Sequence, residues 1–213
     1  MITIRPRDGT LSPDDAARVG DTAGAGGVLV FPTDTFYALG ANPLSSRGVA
    51  KIFALKRRSP GKPLLLLLDS AEKVKVYASS VSRGHRLLME HFWPGPLTLL
   101  FSALSSLPEG VVSATGEIAL RVPGCRLSRE VVAAAGGALT GTSANRSGDP
   151  PPAETAAALS SLAEEPDLVV EAGTLRASDV STLLRIDEGR PTLLREGAVT
   201  LAEVEKVLAD GKG

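Results

Sequence analysis

The sequence predicts an α/β protein built on one largely covered, mixed sheet. Three observations carry this. Signals for helices and strands alternate along the 213 residues. Several strand segments are apolar at every position, as in Leu64 to Leu68, which is the mark of a strand covered on both faces. The last three strands, at Leu168 to Val170, Thr182 to Ile186 and Leu193 to Arg195, have short connections, so part of the sheet is expected to be antiparallel. No repeat and no linker divides the chain, and a single domain over residues 1–213 is expected, with its motif-bearing core at about 12–208.

Taken in order, Ile2 to Arg5 reads as an edge strand stopped by Pro6. Ser12-Pro13-Asp14-Asp15 starts a helix: Ser accepts from the first free N–H groups, Pro suits the first helical position, and the acids complement the dipole. It ends near Gly24 to Gly27. Val28 to Phe31 is an apolar strand closed by Pro32, followed by the polar loop Thr33-Asp34-Thr35. A helix runs over Ser46 to Lys56, with Val49, Ile52, Phe53 and Leu55 near one stripe. The Leu64 to Leu68 strand follows. Asp69 or Ser70 caps a short helix through Tyr77, and Val81 to Phe92 forms another, broken by Trp93-Pro94-Gly95-Pro96. Leu97 to Phe101 and Ile118 to Val122 are strands on either side of a polar loop. Ser128 is placed to cap a helix to Ala135, ahead of the small-residue strand Ala138 to Gly141. Thr155 to Leu162 is helical. Thr200 and Glu203 form a capping box for a last helix to about Leu208.

Composition bounds the function classes. Hydrophobic residues make up 43% and charged residues 22%, and the net charge is -1. Any basic surface is therefore local rather than a global field for nucleic acid. Cys125 stands alone, which excludes an internal disulfide scaffold and points to a reducing compartment. No apolar run approaches the roughly 18 residues of a membrane span, and Met1 to Arg7 lacks a signal-peptide core, so a cytoplasmic protein is expected.

Lys56-Arg57-Arg58-Ser59-Pro60-Gly61-Lys62-Pro63 carries four cations and no acid. It lies between a helix and an apolar strand and is stiffened by Pro60 and Pro63, an anion-binding design. Arg121 sits inside an apolar strand, where it needs an anionic partner or an exposed face. Arg195 stands at another strand end. Thr142-Ser143-Ala144-Asn145-Arg146-Ser147-Gly148 gathers short hydrogen-bonding side chains at a strand-to-loop turn, which also describes an ordinary Asx-type turn. Thr33-Asp34-Thr35 follows a strand end, where open α/β sheets bind ligands. The Trp93 to Pro96 corner reads as structural. His85 and His91 do not have metal-ligand spacing. Phosphate-loop and dinucleotide fingerprints are absent, and Ser143 lacks the downstream His of a serine hydrolase.

As an ordered set these segments resemble the YrdC/Sua5 family of threonylcarbamoyl-adenylate synthases. The pieces are Phe31 to Gly40, Lys56-Arg57-Arg58 with Lys62-Pro63-Leu64, Trp93 to Thr98, Leu120 to Pro123, Thr142 to Gly148, Ser181-Thr182 and Leu194 to Gly197. The length is that of the short form without the additional C-terminal Sua5 domain. The resemblance implies a twisted mixed sheet flanked by helices around a concave basic cavity. It implies condensation of L-threonine, bicarbonate (or CO2) and ATP to threonylcarbamoyl-AMP and pyrophosphate, feeding N6-threonylcarbamoyladenosine formation in tRNA through a downstream transferase complex. It assigns Thr35, Arg121 and Ser181 to threonine, and Arg58, Lys62, Ser143, Asn145 and Arg195 to ATP. Lys56, Arg58, Ser143 and Asn145 fill its Lys-x-Arg and Ser-x-Asn activity motif. Mg2+ is expected to arrive with ATP, not in a protein cage. Four positions depart from the family pattern: Ala38, Leu67, Glu117 and Pro151. A non-catalytic RNA-binding module in contact with tRNA, or a carbamoyl-transfer domain, are the alternative readings.

Overall fold

The computed structural model describes residues 1–59, 61–176 and 179–211. Its strands are β1 (Ile2–Ile4), β2 (Leu29–Pro32), β3 (Tyr37–Gly40), β4 (Leu65–Leu68), β5 (Leu97–Ser102), β6 (Glu117–Arg121), β7 (Ala138–Ser143), β8 (Leu168–Val170), β9 (Thr182–Asp187) and β10 (Arg190–Arg195). The helices are α1 (Pro13–Gly24), α2 (Ser46–Lys56), α3 (Arg83–Phe92), α4 (Arg126–Ala134), α5 (Thr155–Ser161) and α6 (Leu201–Asp210). A 3-10 turn covers Ala71–Val76. None of these helices is long and apolar enough to cross a membrane.

All ten strands join one sheet in the order β1-β8-β2-β3-β7-β4-β6-β5-β9-β10. The sheet is mixed: β1, β8 and β2 are parallel, as are β4 with β6 and β5 with β9, while the other neighbours run antiparallel. β7 is shared. Its last residues, Thr142 and Ser143, pair with Leu39 and Ala38 of β3, and its earlier part pairs with Leu65–Leu68 of β4. The antiparallel expectation is met at the β9–β10 hairpin. β8 is the exception among the last three strands. It lies in the other half of the sheet, parallel to β1 and β2, because connection length constrains chain neighbours and not sheet neighbours.

Strand alternation divides the core into two faces. Val28, Val30, Tyr37, Leu39, Leu66 and Leu68 point to one side, where α2, α3 and α6 contribute Ile52, Leu88 and Val204. Leu29, Phe31, Ala38 and Leu67 point to the other, where α1 and α4 contribute Val19 and Val131. Each fully buried Leu or Ile contributes roughly 1.5–3 kcal/mol of burial, so both faces are well fastened. On the second face, the packed helices α1 and α4 gather over the β2 side of the sheet. The floor of β4, β6, β5 and β9 on that face instead borders a cavity.

Helix ends follow their caps closely. Ser12 accepts from Asp15 N–H, Ser45 from Gly48 N–H, and Thr200 with Glu203 closes the capping box on α6. Ser128 is a correction. α4 begins two residues before it, on Cys125, and the buried Ser128 hydroxyl donates to Pro32 O at 2.7 Å. It ties the helix to the end of β2 rather than capping it. Ser70 precedes the 3-10 turn but makes no side-chain cap.

Candidate active site

The period of two that sorts the core also builds the site. Leu65 and Leu67, Thr98 and Leu100, Glu117, Ala119 and Arg121, Gly141 and Ser143, and Ser181, Leu183 and Arg185 alternate along their strands and line one cavity of about 640 Å3. Its floor is apolar in the middle, and its polar groups sit at strand ends. Gly141 keeps that floor open: a Cβ there would stand 2.7 Å from Leu67 Cγ and 3.0 Å from Leu65 Cδ1.

Arg121, only 4% exposed, meets its need with an anionic partner and not with an exposed face. Its Nε donates to Gly95 O at 2.9 Å, and Nη2 lies 2.5 Å from Asp34 Oδ1. Burial lowers its pKa, opposed by the charge and hydrogen bond of Asp34. The anionic partner demanded by an Arg in an apolar strand is thus the middle residue of Thr33-Asp34-Thr35. That loop is fixed by Thr33, whose hydroxyl donates to Phe36 O and accepts from the N–H groups of Thr35 and Phe36. Thr35 is buried and borders the cavity.

Ser181 begins the next arm. Arg195 donates from Nε and Nη2 to Ser181 O at 3.0 and 2.8 Å, and from Nη2 to Ser181 Oγ at 2.9 Å. Burial of its head group, and then the charge of Arg121, lower the Arg195 pKa. Two cations are therefore held close enough to feel each other's charge, and the Asp34 carboxylate pairs with one of them, Arg121.

The third arm is the loop after α2. Arg57 ends the helix in the left-handed region at φ 48° and is exposed. That conformation turns Arg58 inward. Its Nε donates to Lys62 O at 3.0 Å and its Nη2 to Pro63 O at 3.2 Å, so the side chain braces the loop as well as bordering the cavity. Burial lowers its pKa. Lys62 is exposed at the rim. Pro60, which the sequence reading used to stiffen this loop, lies outside the described residues.

Lys56 and Asn145 are placed differently from the other candidates. Thr35, Arg58, Lys62, Arg121, Ser143, Ser181 and Arg195 border the cavity; these two do not. Lys56 is 2% exposed. Its Nζ donates to Ser143 O, to Asn145 O at 2.6 Å and to Asn145 Oδ1 at 3.3 Å. Asn145 Nδ2 in turn donates to Asp149 O at 2.5 Å, and Ser147 N–H to Lys56 O at 2.9 Å. The Lys side chain thus clamps the end of β7 and its turn onto α2. Burial, then Arg58, lowers its pKa to about 8, with Asp149 opposing.

Two cavity groups escaped the sequence reading. Arg185 Nε and Nη2 donate to Glu117 Oε1 and Oε2 at 2.7 and 2.6 Å, bridging β9 and β6 across β5, and Thr115 Oγ1 also donates to Glu117. Thr98 Oγ1 lies 2.8 Å from Ser181 Oγ. Alternation was the signal for both: Arg185 is four residues from Ser181, and Thr98 two from Leu100. Among the described residues no group of three or more His, Cys, Asp or Glu is arranged to hold a metal ion.

This fold defines an α/β class with cations and hydroxyls converging on a strand-end cavity. A family model named Sua5/yciO/yrdC and described as telomere recombination matches residues 22–197, and the chain belongs to that family. A Pyrococcus abyssi protein named threonylcarbamoyl-AMP synthase is 31% identical over 185 residues, covering 87% of this chain and 54% of that protein. This chain therefore spans about half of that relative's length. A Mycobacterium tuberculosis protein, provisionally given the same name, is 33% identical over 188 residues, covering 86% of this chain and 84% of its own. The crystal structure of P. abyssi Sua5 complexed with L-threonine superposes with a TM-score of 0.88 at 29% identity, over 97% of this chain and 60% of that one.

Proposed function

We propose that this chain is a threonylcarbamoyl-AMP synthase, a nucleotidyltransferase that joins L-threonine, bicarbonate and ATP and releases pyrophosphate. The observation that carries the reading is the convergence of Arg58, Lys62, Arg121 and Arg195 with Thr35, Ser143 and Ser181 around one cavity. Carboxylate, bicarbonate and triphosphate repel one another until cations gather them. Positioning and charge stabilisation are the main catalytic terms at phosphorus.

In this reading the amine of threonine attacks the carbon of bicarbonate, a C–O bond breaks and water leaves, giving the carbamate. The carbamate oxygen then attacks the α-phosphate, the bond to the β-phosphate breaks, and pyrophosphate leaves. Arg121, Thr35 and Ser181 hold the amino acid at the strand-borne end. Arg58, Lys62, Ser143 and Arg195 meet the nucleotide. Lys56 and Asn145 serve by holding the Ser143 turn in place. Mg2+ enters with the nucleotide as MgATP. The labile product passes to a transferase acting on tRNA, and the lone Cys125 accords with work in the cytoplasm.

Mass spectrometry of products after incubation with MgATP, L-threonine and bicarbonate tests the reaction. Threonylcarbamoyl-AMP is expected, and its absence with all three substrates present overturns the reading. Arg58→Ala is expected to lower threonine- and bicarbonate-dependent pyrophosphate release by at least about 100-fold. Full turnover removes that loop from the mechanism.

A further inference from the structure

Thr98 has no part in the mechanism above, yet it is wholly buried and touches a residue that has one. We propose that Thr98 is a positioning residue that sets the polarity of the Ser181 hydroxyl, making it a hydrogen-bond donor aimed at an anionic oxygen of the amino-acid substrate. The inference rests on the functional reading just given.

The argument is a count of protons and lone pairs. A serine hydroxyl has one proton to give and two lone pairs to receive. Arg195 Nη2 fills one lone pair of Ser181 Oγ at 2.9 Å, and a guanidinium can only donate. The hydrogen-bond partner that the described residues offer Thr98 Oγ1 is Ser181 Oγ, at 2.8 Å. Thr98 also lines the cavity but has no exposed surface, so were Ser181 to donate to it, the Thr98 proton would have no acceptor among the described residues, an arrangement that folded proteins avoid. Thr98 therefore donates, and the second lone pair of Ser181 is filled. The Ser181 proton is left to point into the cavity that Ser181 borders. Arg195 and Thr98 together turn an ambivalent hydroxyl into a dedicated donor beside Arg121 and Arg195. That suits a carboxylate or carbamate oxygen and disfavours an ammonium.

The geometry is fixed by backbone. Thr182 N–H donates to Pro96 O at 3.0 Å, and the parallel register sets Leu97 against Thr182 and Thr98 against Leu183. The same corner supplies Gly95 O to Arg121. The segment Gly95 to Thr98 thus orients both Arg121 and Ser181.

The test measures L-threonine binding by titration calorimetry for the full chain and for Thr98→Val, Thr98→Ser, Ser181→Ala and the Thr98→Val/Ser181→Ala pair, with MgATP binding in parallel. Thr98→Val is nearly isosteric but cannot donate. It is expected to weaken threonine binding about tenfold while leaving MgATP binding within about twofold. Thr98→Ser is expected to restore threonine binding to within about threefold, and Thr98→Val to add nothing beyond about twofold once Ser181 is Ala. Three results would each overturn the inference: threonine binding within about twofold of wild type in Thr98→Val, equal weakening for both ligands, or a full Thr98→Val effect in the Ser181→Ala background. A wild-type chain that binds no L-threonine overturns the functional reading and this inference with it.

Discussion

The cavity is served by two kinds of cation. Those borne on strands, Arg121 and Arg195, are held by carbonyls and by Asp34. Those borne on the loop after α2 hold chiefly their own loop: Arg58 braces Lys62 O and Pro63 O, and Lys62 is exposed. The first kind is set before any ligand arrives: Arg121 is buried on its partners, and Arg195, though exposed, is held by three hydrogen bonds to Ser181. The second can follow its ligand at little cost. A rigid end suits a small molecule of constant shape, and an adaptable end suits a phosphate chain whose charge moves during reaction.

The contrast is open to attack at four points. The largest effect is expected from Arg121→Ala, which breaks a pair only 4% exposed on the Arg side. A loss of about 3–5 kcal/mol in urea unfolding is expected, together with loss of threonine binding. A stable variant would mean that the strand-borne cation is not part of the framework.

Next is Lys56, whose folded pKa of about 8 lies below its ordinary value of 10.5. Between those values the unfolded chain binds more protons than the folded one, so this group adds stability as pH rises through the window and is flat below it. Wild type should therefore gain on Lys56→Met from pH 8 to 10.5, by an amount on the order of 3 kcal/mol. Parallel urea midpoints for the two proteins would contradict it.

The third point is Lys62→Ala. It is expected to raise the KM for ATP about tenfold in pyrophosphate-release kinetics, with threonine affinity and unfolding free energy, to within about 0.5 kcal/mol, unchanged. The smallest effect belongs to Arg57→Gly. Relief of the left-handed backbone, about 1–2 kcal/mol, exceeds the added freedom of the unfolded chain, about 0.5–1 kcal/mol. A gain near 0.5 kcal/mol in melting experiments is expected, without loss of turnover.

Local signals were legible in the sequence to the extent that local physics decides them. The bounds of α2 and the capping box of α6 follow from nearby side chains alone. Even the need of Arg121 for an anion could be read from its apolar neighbours. What could not be read is pairing at a distance. Asp34 meets Arg121 only because the β2–β3 turn folds toward the end of β6, and nothing near Asp34 in the chain announces it. β3 carries no strand signal of its own, because its four residues become a strand only between β2 and β7. Ser128 has the chemistry of a cap, and its role passed to packing because Pro32 O lay within reach. The family resemblance places Lys56 and Asn145 in the activity motif, and Asn145 also on ATP. Their burial away from the cavity follows from the meeting of α2 with the β7 turn, a tertiary event.

β7 carries one last consequence, for how the chain comes together. Ala38 and Ser143, paired across the seam, lie 143 − 38 = 105 positions apart. Closing such a loop is slow and entropically costly, and it brings no contact until the intervening strands are in place. The cavity therefore exists only in the finished sheet. A partly folded or nicked chain has no site to occupy, so each bound ligand favours the complete fold by mass action and lengthens its life against proteolysis.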